Sequence, residues 1–209
     1  TTGFDNIGLG SQTLQGSGGA FTGHRNIAMG VNSLYSMSSG NHNVAIGYFA
    51  GNKITTGTQN IFLGTDAGEL QTTASKNIGI GQQALENNIT GSSNLAVGYQ
   101  ALRGVANNSH ADNTAIGYQA GYSITTGGSN FFGGYWAGRA NSTGTLNVAV
   151  GRDALRTNTT GQGNTAIGHQ AFEIANNIYN GVAIGRDAGI STTTGSYNTF
   201  VGYLSGKSH

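Results

Sequence analysis

Eight carboxylates are spread along this 209-residue sequence, and they are the first place to look for catalysis. Hydrolysis of a glycosidic bond needs two carboxyl groups roughly 5–10 Å apart. Asp66, Asp153 and Asp187 share one position of a repeating pattern, but they never fall in neighbouring repeats. We therefore predict no catalytic residues and no enzyme activity, with carboxyl pairs between subunits left as an open alternative.

Two histidines, His24 and His42, are candidates for a metal site. They lie one repeat apart, so stacking would bring them within about 5–6 Å of each other. In a trimer, a ring of such histidines could hold a metal ion or an anion on the axis. The alternative is a pair of exposed turn residues, because the sequence has no cysteine and no His-x-His pattern to complete a site. We predict no metal and no cofactor.

The two positions that follow a repeated glycine carry the side chains best suited to recognition. Aromatic rings stack on the C–H faces of sugars, while amide and charged groups bond hydroxyls. Residues of these types occupy four consecutive repeats, and we predict that they bind a ligand: Tyr99, Tyr118, Tyr135, Trp136, Arg152 and Asp153. Trp136, the single tryptophan, is the predicted hot spot. The alternatives are a structural ladder of stacked tyrosines and a local packing variant at Trp136.

These residues are positioned by a short motif, Asn-Val-Ala-Ile-Gly at 43–47, which recurs twelve times with variations. The motif returns every 17 residues, apart from a step of 20 after Asn6 and a step of 19 after Asn94. A fixed short period is typical of a solenoid, in which equivalent residues stack along one axis. At about 4.8 Å per strand, the stack would be about 55 Å long. The sequence thus predicts an all-β parallel solenoid of about twelve 17-residue turns.

Each part of the motif predicts a role in that stack. Val44 and Ile46 point to one side of a strand, so with their equivalents they form an apolar stripe, and stacking buries a continuous core. The small residue between them, Ala45, would let another backbone approach closely. The Asn43 position predicts a ladder of hydrogen-bonded amides. The Gly47 position predicts either a special backbone conformation or a contact that a Cβ would obstruct. The small Ala45 and Ala50 positions predict tight packing, with other copies of the chain as one candidate partner.

A longer period overlies the first. The residue after the Ala50 position alternates in pairs between Leu or Phe and Gly, and Phe62, Phe132 and Phe200 recur in every fourth unit. The chain therefore divides into three tandem four-turn blocks, about 6–76, 77–146 and 147–209. We interpret these blocks as duplications within a single repeat domain, 1–209, because no linker separates them. Both ends fall inside the pattern, and we interpret the chain as a fragment of a longer one.

Composition restricts the partners. Only 8% of the residues are charged and the net charge is +1, so no basic field is present to attract nucleic acid or an anionic membrane surface. The sequence contains no run of about 18 apolar residues, so it does not predict insertion into a membrane. We therefore predict neither nucleic acid as a partner nor insertion into a membrane.

The Asn-x-Ala-Ile-Gly-x-x-Ala pattern resembles the head repeat of trimeric autotransporter adhesins, and still more the repeats of bacteriophage tail fibres. The resemblance extends from Asn6 to Gly206. It implies a left-handed β-roll, three copies packed as a homotrimeric fibre, and a receptor-binding segment of a virion tail that attaches to a host surface glycan or an outer-membrane receptor. The 17-residue unit is longer than the coil of the adhesin heads. The alternatives are a bacterial trimeric surface adhesin head, which would be extracellular, and a polysaccharide-degrading tailspike fragment.

Overall fold

The computed structural model describes residues 3–16, 21–105 and 108–207. Within these ranges the chain is all-β and contains no helix. The strands are β1 (Ile7–Leu9), β2 (Ile27–Met29), β3 (Val44–Ile46), β4 (Ile61–Leu63), β5 (Ile78–Ile80), β6 (Leu95–Val97), β7 (Thr114–Ile116), β8 (Phe131–Gly133), β9 (Val148–Val150), β10 (Thr165–Ile167), β11 (Ile178–Tyr179), β12 (Val182–Ile184), β13 (Gly195–Ser196) and β14 (Thr199–Val201).

Twelve of these strands form one parallel sheet in the order β1-β2-β3-β4-β5-β6-β7-β8-β9-β10-β12-β14, and β11 pairs with β13 in a small second sheet. Each strand pairs with its equivalent in the next unit, so that Ile46 lies beside Leu63 and Leu63 beside Ile80. This confirms the predicted parallel solenoid, in which equivalent residues stack. Twelve strands joined by successive pairings make about eleven turns, one fewer than the twelve we predicted.

The faces of the large sheet are the reverse of the expected arrangement. Ala45 is completely buried, whereas Ile46 is 41% exposed. In β2 to β10 and in β12 the middle residue, which is small in most of these strands, points into the solenoid, and the apolar stripe lies on the outer surface. The interior is thin: a Cβ built on Gly79 would lie 3.2 Å from the carbonyl oxygen of Ala84 in the opposite wall. Where the opposite wall comes this close only small residues fit, so the large β-branched side chains point outward.

The four-unit period has a packing explanation. Phe62 is completely buried at a strand position where most units have Ala or Gly. A Cβ on Gly68, in the same unit, would lie 2.5 Å from the Phe62 ring, and a Cβ on Gly51, one unit earlier, would lie 3.2 Å from it. Other units with a small strand residue bury a leucine from the opposite wall, such as Leu85. The unit of Ala45 has a small residue on both walls, and Leu34 and Phe62 of the neighbouring units fill the space beside its Gly51. A phenylalanine from one wall therefore occupies the volume that leucines from the other wall fill elsewhere.

The predicted asparagine ladder is confirmed, and it runs through the buried corner that precedes the sheet. The Asn43 Nδ2 donates to Asn26 Oδ1 at 3.1 Å and to the Gly57 carbonyl oxygen at 2.9 Å. Its Oδ1 accepts from the backbone N–H and from the Nδ2 of Asn60, each at 3.0 Å. One side chain thus satisfies polar groups from three consecutive turns, which a buried corner requires.

The one break in this ladder, Gly181, also follows from packing. A Cβ at this position would lie 3.1 Å from the ring of Phe172, which is completely buried. The Gly181 N–H still donates to Asn164 Oδ1 at 2.9 Å, so the backbone contact of the ladder survives without the side chain.

The repeated glycine after each large-sheet strand meets both conditions that we proposed for it. Gly47 has φ +142°, a region that L-residues rarely adopt. A Cβ on Gly47 would also lie 2.4 Å from the carbonyl oxygen of Gly64 in the next turn. The Ala50 position is completely buried. Its small size therefore serves tight packing in the interior of one chain, and not a contact with other copies at this position.

The two steps that are longer than 17 residues contain short insertions, and the strands on both sides of each insertion still pair. The first includes residues 17–20, which lie outside the described residues. The second follows β6, and there Asn108 forms a parallel bridge with Asn88. His110, next to this bridge, is completely buried, and burial lowers its pKa from 6.5 to about 4, opposed in part by a backbone hydrogen bond with Leu102.

Candidate functional site

Three tyrosines of the predicted site form a continuous stack along the solenoid axis. The ring centroids of Tyr99 and Tyr118 are 5.1 Å apart, and those of Tyr118 and Tyr135 are 5.0 Å apart, with planes within 18° and 9° of parallel. The rings therefore cover one another's faces. A ligand would meet their exposed edges and hydroxyl groups, and the faces are not free to stack on sugar rings as the sequence suggested.

The three tyrosine hydroxyls remain available for hydrogen bonds. None of them has a hydrogen-bond partner among the described residues, and none is buried. The register of β6, β7 and β8 places the three hydroxyl-bearing rings in one row, because each tyrosine follows the repeated glycine of its own turn. The row is both a structural ladder and a line of donors and acceptors facing solvent.

The other predicted residues extend this stack in different ways. The guanidinium of Arg152 lies over the Tyr135 ring at 5.6 Å from its centroid, and the Arg152 side chain is 64% exposed. Asp153 is buried, and its Oδ2 lies 3.1 Å from Arg152 Nε. Its Oδ1 lies 3.9 Å from Arg156 Nε. Asp153 is therefore a buried group that orients Arg152 and Arg156. Of the predicted residues Arg152 and Asp153, only Arg152 faces solvent.

Trp136 is half-buried beside the stack. Its Nε1 donates to Gln119 Oε1 at 2.9 Å. Its ring lies 4.8 Å from the Tyr135 ring and 5.1 Å from the guanidinium carbon of Arg139. The structure separates Trp136 from the phenylalanines that surround it in sequence, since Phe132 is in the core and Phe131 is on the outer face of the sheet. The role of Trp136 as a hot spot stays a prediction.

Two further columns of side chains belong to the same surface. The first lies at the second of the two positions that we singled out after the repeated glycine, and the second column was missed by sequence reasoning. The first is a glutamine ladder, in which Gln100 Nε2 donates to Gln83 and Gln119 Nε2 donates to Gln100, each at 2.7 Å. The second contains Arg103, Tyr122 and Arg139, in which both guanidinium carbons lie over the Tyr122 ring, at 5.6 and 5.5 Å. The signal for the second column was its constant offset of five residues from the repeated glycine, whereas we examined only the first two positions.

Arg139 differs from the other arginines of this region in its charge partners. Arg103 Nε lies 2.5 Å from Glu86 Oε2, and hydrogen bonding to this carboxylate raises the Arg103 pKa against the opposing effect of burial. Arg156 Nη2 lies 2.7 Å from Glu173 Oε1. Arg139 has no carboxylate within ion-pair distance in the described ranges, and its Nε donates to the neutral Gln119 Oε1 at 3.2 Å.

Three carboxyl groups come together one to two turns before the tyrosine stack. Burial and the charge of Glu86 raise the pKa of Asp66, and burial, Asp66 and Glu86 raise the pKa of Glu69, with Lys53 opposing. We overlooked this group because we compared carboxylates only within the Asp66 column, although Glu69 and Glu86 are 17 residues apart. A glycosidase would need such groups across a bound sugar, and the described residues form no pocket that could enclose one.

The two histidines each have a different neighbour. The His24 ring stacks on Phe4 with centroids 3.9 Å apart, and His24 Nδ1 accepts from the Phe4 N–H at 3.3 Å. His42 Nε2 lies 3.4 Å from Arg25 Nη1. The part of the chain that the structure describes has no group of three or more potential metal ligands.

Comparison with protein-family models, with curated proteins and with solved structures gives no match. No helix within the described ranges is long and apolar enough to cross a bilayer. The function must therefore be argued from the solenoid and its surface.

Proposed function

We propose that this chain is a rigid segment of a homotrimeric fibre that presents a receptor-binding surface, and that the fibre is a bacteriophage tail fibre that attaches to a host cell surface. The observation that carries the proposal is the outward-facing apolar stripe of the twelve-stranded sheet. It runs the whole length of the stack and contains Ile46, Ile80 and Ile116, which are each between a third and a half exposed.

The size of this stripe supports assembly. Twelve strands about 4.8 Å apart, with two outward side chains about 7 Å apart on each strand, give a band of several hundred Å². Contiguous apolar patches of this size mark interaction sites on soluble proteins. Three copies packed around a common axis would cover the band of each copy, in line with the homotrimer and the left-handed coil that the resemblance implies.

The hydrogen bonding between turns makes the solenoid suitable as a rigid spacer. Most backbone N–H groups bond the equivalent turn before or after them, as in Gly47 N to Met29 O at 2.8 Å and Ile61 N to Asn77 O at 2.8 Å. The tyrosine stack and its arginines lie on the turns that follow the strands, so they remain outside a trimer built on the sheet. They are the surface that we assign to the receptor, a host surface glycan. A bacterial adhesin head with the same fold is the alternative, and it would carry the same surface at a cell instead of a virion tail.

The mass of the purified fragment in solution tests the assembly. Light scattering is expected to give about three times the 21.3 kDa of one chain. Ile46→Asp with Ile80→Asp should reduce the mass towards one chain without changing the circular dichroism spectrum, because six carboxylates would be desolvated in an apolar interface. Ile174→Asp is the matched control, since Ile174 is 42% exposed and lies outside the sheet. A monomeric wild type would refute the trimer.

A glycan array tests the receptor. The wild-type fragment should bind at least one glycan, and Trp136→Ala should weaken that binding if the tryptophan is the hot spot. A fragment that binds no glycan on the array and no bacterial cells in a labelled-fragment assay would contradict the receptor-binding role.

A further inference from the structure

We propose that the surface formed by Tyr99, Tyr118, Tyr135, Trp136, Arg139 and Arg152, the arginine–tyrosine surface, binds an acidic polysaccharide whose carboxylate or sulfate groups are held by Arg139 and Arg152. This inference rests on the proposed receptor-binding function and names the chemical class of the receptor.

The first argument is the set of donors that the fold leaves unused. Arg139 uses only its Nε within the chain, on Gln119, and Arg152 uses only its Nε, on Asp153. None of their terminal nitrogens has a hydrogen-bond partner among the described residues, and none of these nitrogens is buried. Terminal guanidinium N–H groups bind carboxylate and sulfate oxygens in a paired geometry, and such charge-assisted bonds are about twice as strong as neutral ones.

The second argument is that the two guanidinium groups are held in place before any ligand arrives. Arg139 lies between the rings of Tyr122 and Trp136, at 5.5 and 5.1 Å, and Arg152 lies over Tyr135 at 5.6 Å. An arginine fixed on aromatic faces loses less side-chain entropy when it binds an anion. The hydrogen bonds of Gln119 to Trp136 and Arg139 couple the tryptophan and the arginine into one unit.

The third argument is the distribution of charge along the rod. Residues 94–163 contain four of the six arginines in the chain and only two carboxylates, Asp112 and Asp153. Carboxyl groups flank this region on both sides, with Asp66, Glu69 and Glu86 before it and Glu173 and Asp187 after it. Because Arg103 is paired with Glu86, Arg156 with Glu173 and Arg152 with Asp153, the positive charge of this region that has no carboxylate partner among the described residues lies at Arg139, and an anionic ligand is attracted there.

The fourth argument is periodicity. The tyrosine ring centroids follow one another at 5.0 to 5.1 Å, and the nearly parallel rings present their hydroxyls in one row. This repeat is comparable to the length of one sugar ring in an extended chain, so a polysaccharide lying along the axis meets one hydroxyl per sugar. The hydroxyls bond the neutral sugar groups, and the arginines at one end of the row bond the acidic groups.

The test compares three immobilised polymers by biolayer interferometry: heparin for sulfate, polygalacturonate for carboxylate and dextran as the neutral polymer. The wild-type fragment should bind heparin or polygalacturonate, with an affinity that falls as salt rises, and bind dextran much more weakly. Arg139→Gln should weaken acidic binding roughly tenfold or more, and Arg139→Gln with Arg152→Gln should abolish it. Because heparin carries carboxylate as well as sulfate groups, binding to polygalacturonate shows that carboxylate is sufficient, and binding to heparin alone shows that sulfate is required.

Arg186→Gln is the matched control. Arg186 lies over Tyr203 at 5.7 Å and its Nε lies 3.3 Å from Asp187 Oδ2, so it repeats the arrangement of Arg152 outside the arginine–tyrosine surface. Thermal unfolding of each variant, followed by circular dichroism, confirms that the fold is retained. The proposal is overturned if neither acidic polymer binds, if dextran binds as tightly, or if Arg186→Gln causes the same loss. A fragment that binds neutral glycans on the array but no acidic polymer would refute the acidic ligand and leave the receptor-binding role standing.

Discussion

Removing one amide from the asparagine ladder, in Asn43→Ala, is the sharpest test of how the turns of this solenoid are held together. Asn43 is completely buried and its side chain makes four hydrogen bonds, to Asn26, Gly57 and twice to Asn60. The change leaves the Asn60 N–H and the Gly57 carbonyl without these partners in a corner where Asn43 and Asn60 are both completely buried. A typical hydrogen bond contributes about 1 kcal/mol, and a buried group left unsatisfied costs about 1–3 kcal/mol. We expect the free energy of unfolding to fall by about 3–6 kcal/mol.

Asn41→Ala is the matched control, two residues away in the same turn. Asn41 is half-buried, and its Oδ1 accepts one hydrogen bond, from the His24 N–H at 2.8 Å. Its replacement should therefore cost about 1 kcal/mol. Guanidinium denaturation followed by circular dichroism gives the loss of stability for both variants. Because each turn of a solenoid contacts only its neighbours, hydrogen exchange should show the lost protection concentrated in the turns of β2, β3 and β4. Equal losses for the two variants would refute the assignment of cohesion to the ladder.

Two further predictions concern the core and the carboxyl cluster. Phe62→Ala should cost about 3–5 kcal/mol by leaving a cavity, and Gly68→Leu alone should also destabilise because its Cβ would meet the Phe62 ring. The double variant should be more stable than either single variant, since Leu85 already adopts the φ of this position, +57° against +60° at Gly68; denaturation of all three variants checks this, and additive losses would contradict it. Because burial and nearby carboxylates raise the folded-state pKa of Asp66 and Glu69, protonation favours the folded state, and stability should rise as pH falls from 7 towards their usual values of 3.8 and 4.5. Glu69→Gln should stabilise the fold at pH 7 and reduce this rise in thermal unfolding across that pH range, whereas an unchanged pH profile would reject the coupling.

The stacking of the fold was predictable because the repeat places equivalent residues above one another. Once the 17-residue period is read from Asn43, Asn60 and Asn77, the register, the amide ladder and the glycine column follow from local requirements of each position. Each depends on a residue and its equivalents one turn away, and that separation is visible in the sequence. The stacked tyrosines follow from the same rule.

Only the tertiary structure determines which face of the strands points into the solenoid. The alternation of Val44, Ala45 and Ile46 shows that a strand has one large and one small face, but the pattern is the same whichever face is inside. The opposite wall approaches so closely that only Ala or Gly fits beneath most strands, and the large residues are therefore left outside. The sequence also does not give the distances between different columns of side chains, so we missed the contact of Arg139 with Trp136 and the convergence of Asp66 with Glu86. Columns come together where the chain turns, and the tightness of that turn depends on packing across the interior, which the one-dimensional period does not contain.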